Sequence, residues 1–203
     1  RISMERLNDI HAQEDEEYDI CNKLSLLPEN GTITVRDLTY SYSGAERDYA
    51  IKNLSLDIPE GKVTAIVGES GSGKTTLIKL LQGFYKPNSG TIKVGGISLD
   101  CINPHLWRKS TGSVMQESYI FSDTIAKNIA LSTDEVDVKR LYDSALLANA
   151  DEFISALPLG YNTRIGMEGS GVSQGQRQRL LIARAIYKNP KYLTLPALRE
   201  AMK

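Results

Sequence analysis

The stretch Gly68-Glu69-Ser70-Gly71-Ser72-Gly73-Lys74-Thr75-Thr76 constrains this chain more than any other. It follows the apolar run Val63-Thr64-Ala65-Ile66-Val67 and leads without a break into Leu77-Ile78-Lys79-Leu80-Leu81. A buried strand, a glycine-rich turn and a helix are therefore expected in succession. The pattern G-x-x-x-x-G-K-[ST] in that setting is the phosphate-binding P-loop. The competing reading is a glycine-rich turn with a chance lysine. It is disfavoured because every pattern position is matched between a strand and a helix.

A triphosphate is a small, dense anion that needs many converging donors. Gly68, Gly71 and Gly73 keep side chains out of the approach and accept positive φ. The residues from Gly68 through Glu69, Ser70 and Ser72 to Thr76 then form a nest of N–H groups at the positive end of a helix. Lys74 adds a point charge for the β- and γ-phosphates. The Thr75 hydroxyl is placed to ligate Mg²⁺, which favours oxygen ligands. ATP with Mg²⁺ is the expected cofactor pair.

The rest of the composition excludes more than it assigns. At 203 residues the chain is long enough for one domain with a large core. Lys and Arg number 24 against 25 Asp and Glu, so no basic surplus points to nucleic acid. Cys21 and Cys101 are far apart and fit a reducing compartment, while His11 and His105 form no metal pattern. No apolar run approaches membrane-spanning length, and no signal peptide is visible.

Periodicity supplies the expected elements. Residues 1–30 read as an approach segment and linker, and 31–203 as the domain proper. Thr32 to Arg36 and Leu54 to Ile58 alternate as strands, and Leu38 to Ser43 reads as a second extended piece. Three strands before the P-loop suggest an antiparallel layer. The P-loop helix is expected to end near Gln82-Gly83. Ser89 to Gly96 reads as a strand and turn, and Thr111 to Met115 as a short strand ending in Gln116. Helices are expected over 123–131, over 136–148 with Val138, Leu141, Ala145 and Ala148 on one face, and from Ser173, whose spacing to Gln176 matches a capping box. Tyr192 to Leu195 reads as a core strand.

Ser170-Gly171-Val172-Ser173-Gln174-Gly175-Gln176-Arg177-Gln178-Arg179, followed by Leu180-Leu181-Ile182-Ala183-Arg184-Ala185-Ile186, resembles the signature motif of ATP-binding cassette (ABC) transporters. Gly112 to Gln116 resembles the strand entering that family's Q-loop. Phe121 to Ile125 with Asn128-Ile129, and Thr163 to Gly169, resemble segments of exporters, such as bacterial peptide, bacteriocin or lipid exporters. The resemblance runs from residue 32 to about residue 193. It implies an α/β fold: a P-loop NTPase core with a mostly parallel sheet, an antiparallel β layer, and a helical subdomain over about 117–175 that leads into the signature motif.

The resemblance also implies roles. Tyr42 stands where the family places its adenine-stacking aromatic, although alternation puts Tyr40 on the same face. Gln116 would position water or Mg²⁺. Ser173, Gly175 and Gln176, at a helix N-terminus, would face the γ-phosphate held by a second nucleotide-binding domain. The implied partners are that second domain, alike or different, and membrane-spanning domains, at the cytoplasmic face of the membrane. Arg177 and Arg179 read as helix-surface charges. Gln174 replaces the family's commoner glycine.

The pattern breaks after Leu195. The family places an Mg²⁺-binding aspartate and a water-polarising glutamate there, and this chain has Pro196 and Ala197. No histidine follows His105 to contact the γ-phosphate. Three explanations stand: an altered tail on a piece of a longer chain, two segments of one domain joined across an omitted stretch, or a natural module that binds without hydrolysis. The abruptness of the break favours the first two. The expectation is an exporter's nucleotide-binding domain that binds MgATP with weak or no turnover. The alternatives are a soluble cassette ATPase and a silent regulatory module.

Overall fold

The computed structural model describes residues 23–42, 48–115, 118–131, 135–166 and 171–195. The chain divides into two compact units, Arg1–Trp107 and Arg108–Lys203.

In the first unit, β1 (Ile33–Tyr40) lies inside a four-stranded antiparallel sheet ordered β2-β1-β3-β4, with β2 at Ile51–Ile58, β3 at Ser89–Val94 and β4 at Ile97–Ser98. Alternation buries Ile33 and Val35 in the first half of β1 and Leu38 and Tyr40 in the second. The register with β2 shifts between Val35 and Leu38, where Asp37 has φ 50°. This bulge explains why the sequence reads as two extended pieces where one strand exists. Two strands precede the P-loop and two follow it, so the antiparallel layer forms, but not from three strands upstream.

Helix α1 (Lys74–Leu81) buries Thr76, Leu77 and Leu80. It stops where expected, with Gln82 as C-cap and Gly83 at φ 76°. The Trp107 indole, on α2 (Pro104–Ser110), donates to the Leu81 carbonyl at 3.0 Å. One expectation fails here. Residues 63–69 form no regular secondary structure, and Val63 and Val67 are 100% and 88% exposed. Apolar β-branched residues favour a strand only when a neighbour completes the ladder, and no strand among the described residues pairs with this run.

The second unit is built around α6 (Gln174–Tyr187). Its Leu180, Leu181 and Ala183 share a core with Ile125 and Ile129 of α3 (Ile125–Ala130), Leu141 and Ala145 of α4 (Val138–Leu147), and Ile154 of α5 (Asp151–Ser155). The expected face of α4 holds except at its first position, where Val138 is 61% exposed. Strand β5 (Thr111–Ser113) pairs in parallel with β8 (Tyr192–Thr194), and β6 (Asp123–Thr124) pairs antiparallel with β7 (Arg164–Ile165). The β5–β8 pair is the parallel sheet of the described residues. Leu193 is 43% exposed, so β8 is not the core strand its apolarity suggests.

Candidate functional site

The phosphate loop is set by Gly73. It is the N-cap of α1 and has φ 84°, a left-handed conformation that carries no penalty only in glycine. A Cβ there would stand 2.4 Å from the Ala50 carbonyl oxygen, so the loop rests against the backbone just before β2. A Cβ on Gly68 would in turn meet the Ser72 hydroxyl at 2.7 Å. Gly73 has no side chain with which to cap α1, so no side-chain bond satisfies that helix start. Uncapped N–H groups at a helix N-terminus are what an anion requires.

Lys74 folds back over the loop. Its Nζ donates to the carbonyls of Gly68 at 2.8 Å and Glu69 at 2.5 Å, and reaches the Ser72 hydroxyl at 3.2 Å. Its three donors are therefore held by the loop that surrounds the anion site. Glu69, Ser70, Gly71, Ser72 and Thr75 are exposed. The cradle, the lysine and the accessible Thr75 hydroxyl together fit a triphosphate and an oxygen-seeking cation.

Tyr40 and Tyr42, which alternation leaves equivalent, are separated by the structure. Tyr40 is 8% exposed and Tyr42 57%. Tyr42 is the ring accessible to a base. Its hydroxyl lies 3.0 Å from Thr76 Oγ1, so the Thr76 side chain, buried on α1, is turned towards Tyr42.

In the second unit, Ser173 and Gln176 form the complete capping box expected from their spacing. The Gln176 N–H donates to Ser173 Oγ at 3.2 Å, and the Ser173 N–H donates to Gln176 Oε1 at 2.9 Å. Ser173 and Gly175 are exposed at the start of α6. Gln116 lies outside the described residues, as do Pro196 and Ala197.

Sequence reasoning missed the polar hub behind this helix. Asn128 is 1% exposed. Its amide oxygen accepts from the Phe121 N–H at 2.8 Å, and its amide nitrogen donates to the carbonyls of Phe121 at 2.9 Å and Thr124 at 3.0 Å. Arg184, on α6, donates to the Asn128 carbonyl and the Tyr119 carbonyl, both at 2.7 Å. Burial pushes the Arg184 pKa down from its ordinary value. Arg177 donates to the Ser118 carbonyl at 2.8 Å, so it is a tether rather than a loose surface charge. Arg179 stacks over Phe153 at 5.4 Å. One signal was available: Asn128 sits three residues from Ile125 and one from Ile129, on the apolar face of α3.

A family model described as ABC transporter matches residues 51–195. The chain belongs to the ABC transporter family. Among curated members of that family, it is 40% identical over 201 residues to the alpha-hemolysin translocation ATP-binding protein HlyB of Escherichia coli. It is equally similar to the leukotoxin translocation ATP-binding protein LktB of Mannheimia haemolytica. Each alignment covers 99% of this chain and 28% of the relative, so the chain spans little more than a quarter of their length. A solved bacterial Atm1-family ABC exporter with ATP bound superposes with a TM-score of 0.88 at 32% identity, over 100% of this chain and 35% of that one. The chain is thus an ABC transporter nucleotide-binding domain, with the expected α/β class and a fold similar to that exporter's domain. No helix among the described residues is long and apolar enough to cross a membrane.

Proposed function

We propose that this ABC domain binds MgATP on the loop 68–76 and drives export as one of two such domains attached to membrane-spanning segments. The observation that supports it most is the αL Gly73 against the Ala50 carbonyl. It opens an uncapped helix start to an anion, beside a Lys74 whose Nζ is bonded to the same loop. Thr75 and Gln116 would hold Mg²⁺, which would neutralise charge on the phosphates. Tyr42 would carry the adenine.

The start of α6 supports the pairing. Ser173, Gly175 and Gln176 would meet the γ-phosphate held by the second nucleotide-binding domain, alike or different. ATP would then close the pair and hydrolysis in the whole transporter would release it, at the cytoplasmic face of the membrane. For this chain we expect binding with slow or no turnover, since neither Pro196 nor Ala197 can ligate a metal or accept a proton.

Calorimetric titration of MgATP into the chain and its Lys74→Ala variant tests the reading. The variant should bind roughly tenfold to a hundredfold more weakly, the worth of one charge-assisted hydrogen bond. Equal affinity would contradict it.

A further inference from the structure

Three tyrosines meet in the first unit. Tyr40 and Tyr85 lie nearly parallel, with centroids 5.4 Å apart and planes at 23°. Tyr42 stands almost perpendicular to both, 5.1 Å from Tyr40 at 81° and 5.5 Å from Tyr85 at 85°. Its hydroxyl is 3.0 Å from the Thr76 hydroxyl. The segments that bring these rings together are fastened to each other. The Ser41 N–H donates to Asn88 Oδ1 at 2.7 Å, and the Asn88 N–H donates to the Thr39 carbonyl at 3.0 Å.

Resting on the reading of Tyr42 as the adenine platform, we propose that Thr76 and Tyr85 are positioning residues that hold the Tyr42 ring ready for the base. Perpendicular aromatic contacts fix the plane of a ring, and the hydroxyl bond fixes its tip. A half-exposed tyrosine without these restraints would sample several rotamers and lose that freedom on stacking. Preorganisation removes that cost from binding.

The choice of Thr76 as anchor has a consequence for registration. Thr76 lies in the first turn of α1, one residue beyond Thr75 and two beyond Lys74. The base platform is thereby tied to the helix whose N-terminus takes the phosphates. Base and phosphate recognition are registered to one rigid element, so the distance between the two subsites is set before nucleotide arrives. Thr76 is buried, so its hydroxyl acts on the base through Tyr42.

The test compares ATP with inorganic tripolyphosphate, each titrated with Mg²⁺ into the full chain by calorimetry. The ratio of the two affinities reports what the adenosine part, base and ribose together, contributes, and its change at Tyr42 reports the base platform. Thr76→Val and Tyr85→Leu should each lower that ratio roughly threefold to tenfold, the range for freeing one side chain. Thr76→Ser, which keeps the hydroxyl, should restore most of it. Tyr42→Ala should lower the ratio at least as far, and unchanged circular dichroism would show each variant folded. If Tyr42→Ala lowers the ratio while Thr76→Val and Tyr85→Leu leave it at the parent value, the positioning role is wrong and the adenine platform stands. If Thr76→Val weakens ATP and tripolyphosphate alike, Thr76 acts on the loop and positioning is again wrong. If Tyr42→Ala leaves the ratio unchanged, the platform itself is wrong.

Discussion

Helices α1 and α6 both begin at exposed sequences that we propose to meet phosphate, yet they are built in opposite ways. At α1 the N-cap is Gly73, which offers no side chain, and the run before the loop is exposed at Val63 and Val67. At α6 the cap is a closed box in which Ser173 and Gln176 satisfy each other. Behind it Arg177 and Arg184 tether the helix to residues 118–128. The first start is held open, and its shape comes from backbone and glycine. The second is capped by its own side chains, and its position comes from a polar network behind it. An anion at α1 fills an unmet need. At α6 the box already takes up the Ser173 and Gln176 N–H groups, so an anion there meets fewer open donors.

The sharpest way to break this contrast is to remove the network behind α6. Asn128→Leu would take away the amide oxygen that accepts from the Phe121 N–H and from Arg184 Nη2. It should cost about 3 kcal/mol, the penalty of stranding more than one buried polar group, read as a lower midpoint in urea unfolding. Retained stability would show that water replaces the amide. Next comes Gly73→Ala, which combines a strained φ with the Ala50 contact. MgATP affinity should fall roughly a hundredfold, as expected when a backbone donor nest is distorted by 2–3 kcal/mol, while the second unit's core keeps its amide protection. A Ser173→Ala variant should lose only about 1 kcal/mol, an ordinary capping loss, and should leave MgATP binding by the monomer unchanged.

The smallest expected effect is electrostatic and lies on the antiparallel sheet, between β1 and β2. Asp57 is held below the usual carboxylate range by its hydrogen bond to Arg36, with the ion pair at 2.8 Å. A depressed carboxyl pKa contributes stability above its unfolded value and loses it as pH falls through the folded one. Asp57→Asn should therefore lower the unfolding midpoint slightly at neutral pH and not at all in strong acid. The pair is exposed and salt will screen it. A larger effect than that of Ser173→Ala would contradict this ranking.

What was legible in the sequence follows the same division. Local chemistry could be read directly: the glycine pattern of the loop, the Ser173–Gln176 box, and the stop of α1 at Gln82-Gly83. Each depends on residues a few positions apart. Long-range pairing could not. Residues 63–67 are apolar enough for a strand, but a strand exists only with a neighbour, and the sequence does not say whether one arrives. The Asn128–Arg184 contact joins residues 56 positions apart. Tyr40 and Tyr42 could not be separated by alternation because the deciding groups, Thr76 in the P-loop and Tyr85 after it, lie more than thirty positions away.

Nucleotide is proposed to sit on the loop 68–76. Hydrogen–deuterium exchange of the chain with and without saturating MgATP tests it most directly. The account predicts slowed exchange in peptides covering residues 68–78 and 40–42, and little change at 171–177 while the chain is monomeric. Protection confined to the second unit, or none anywhere at saturating nucleotide, would contradict it.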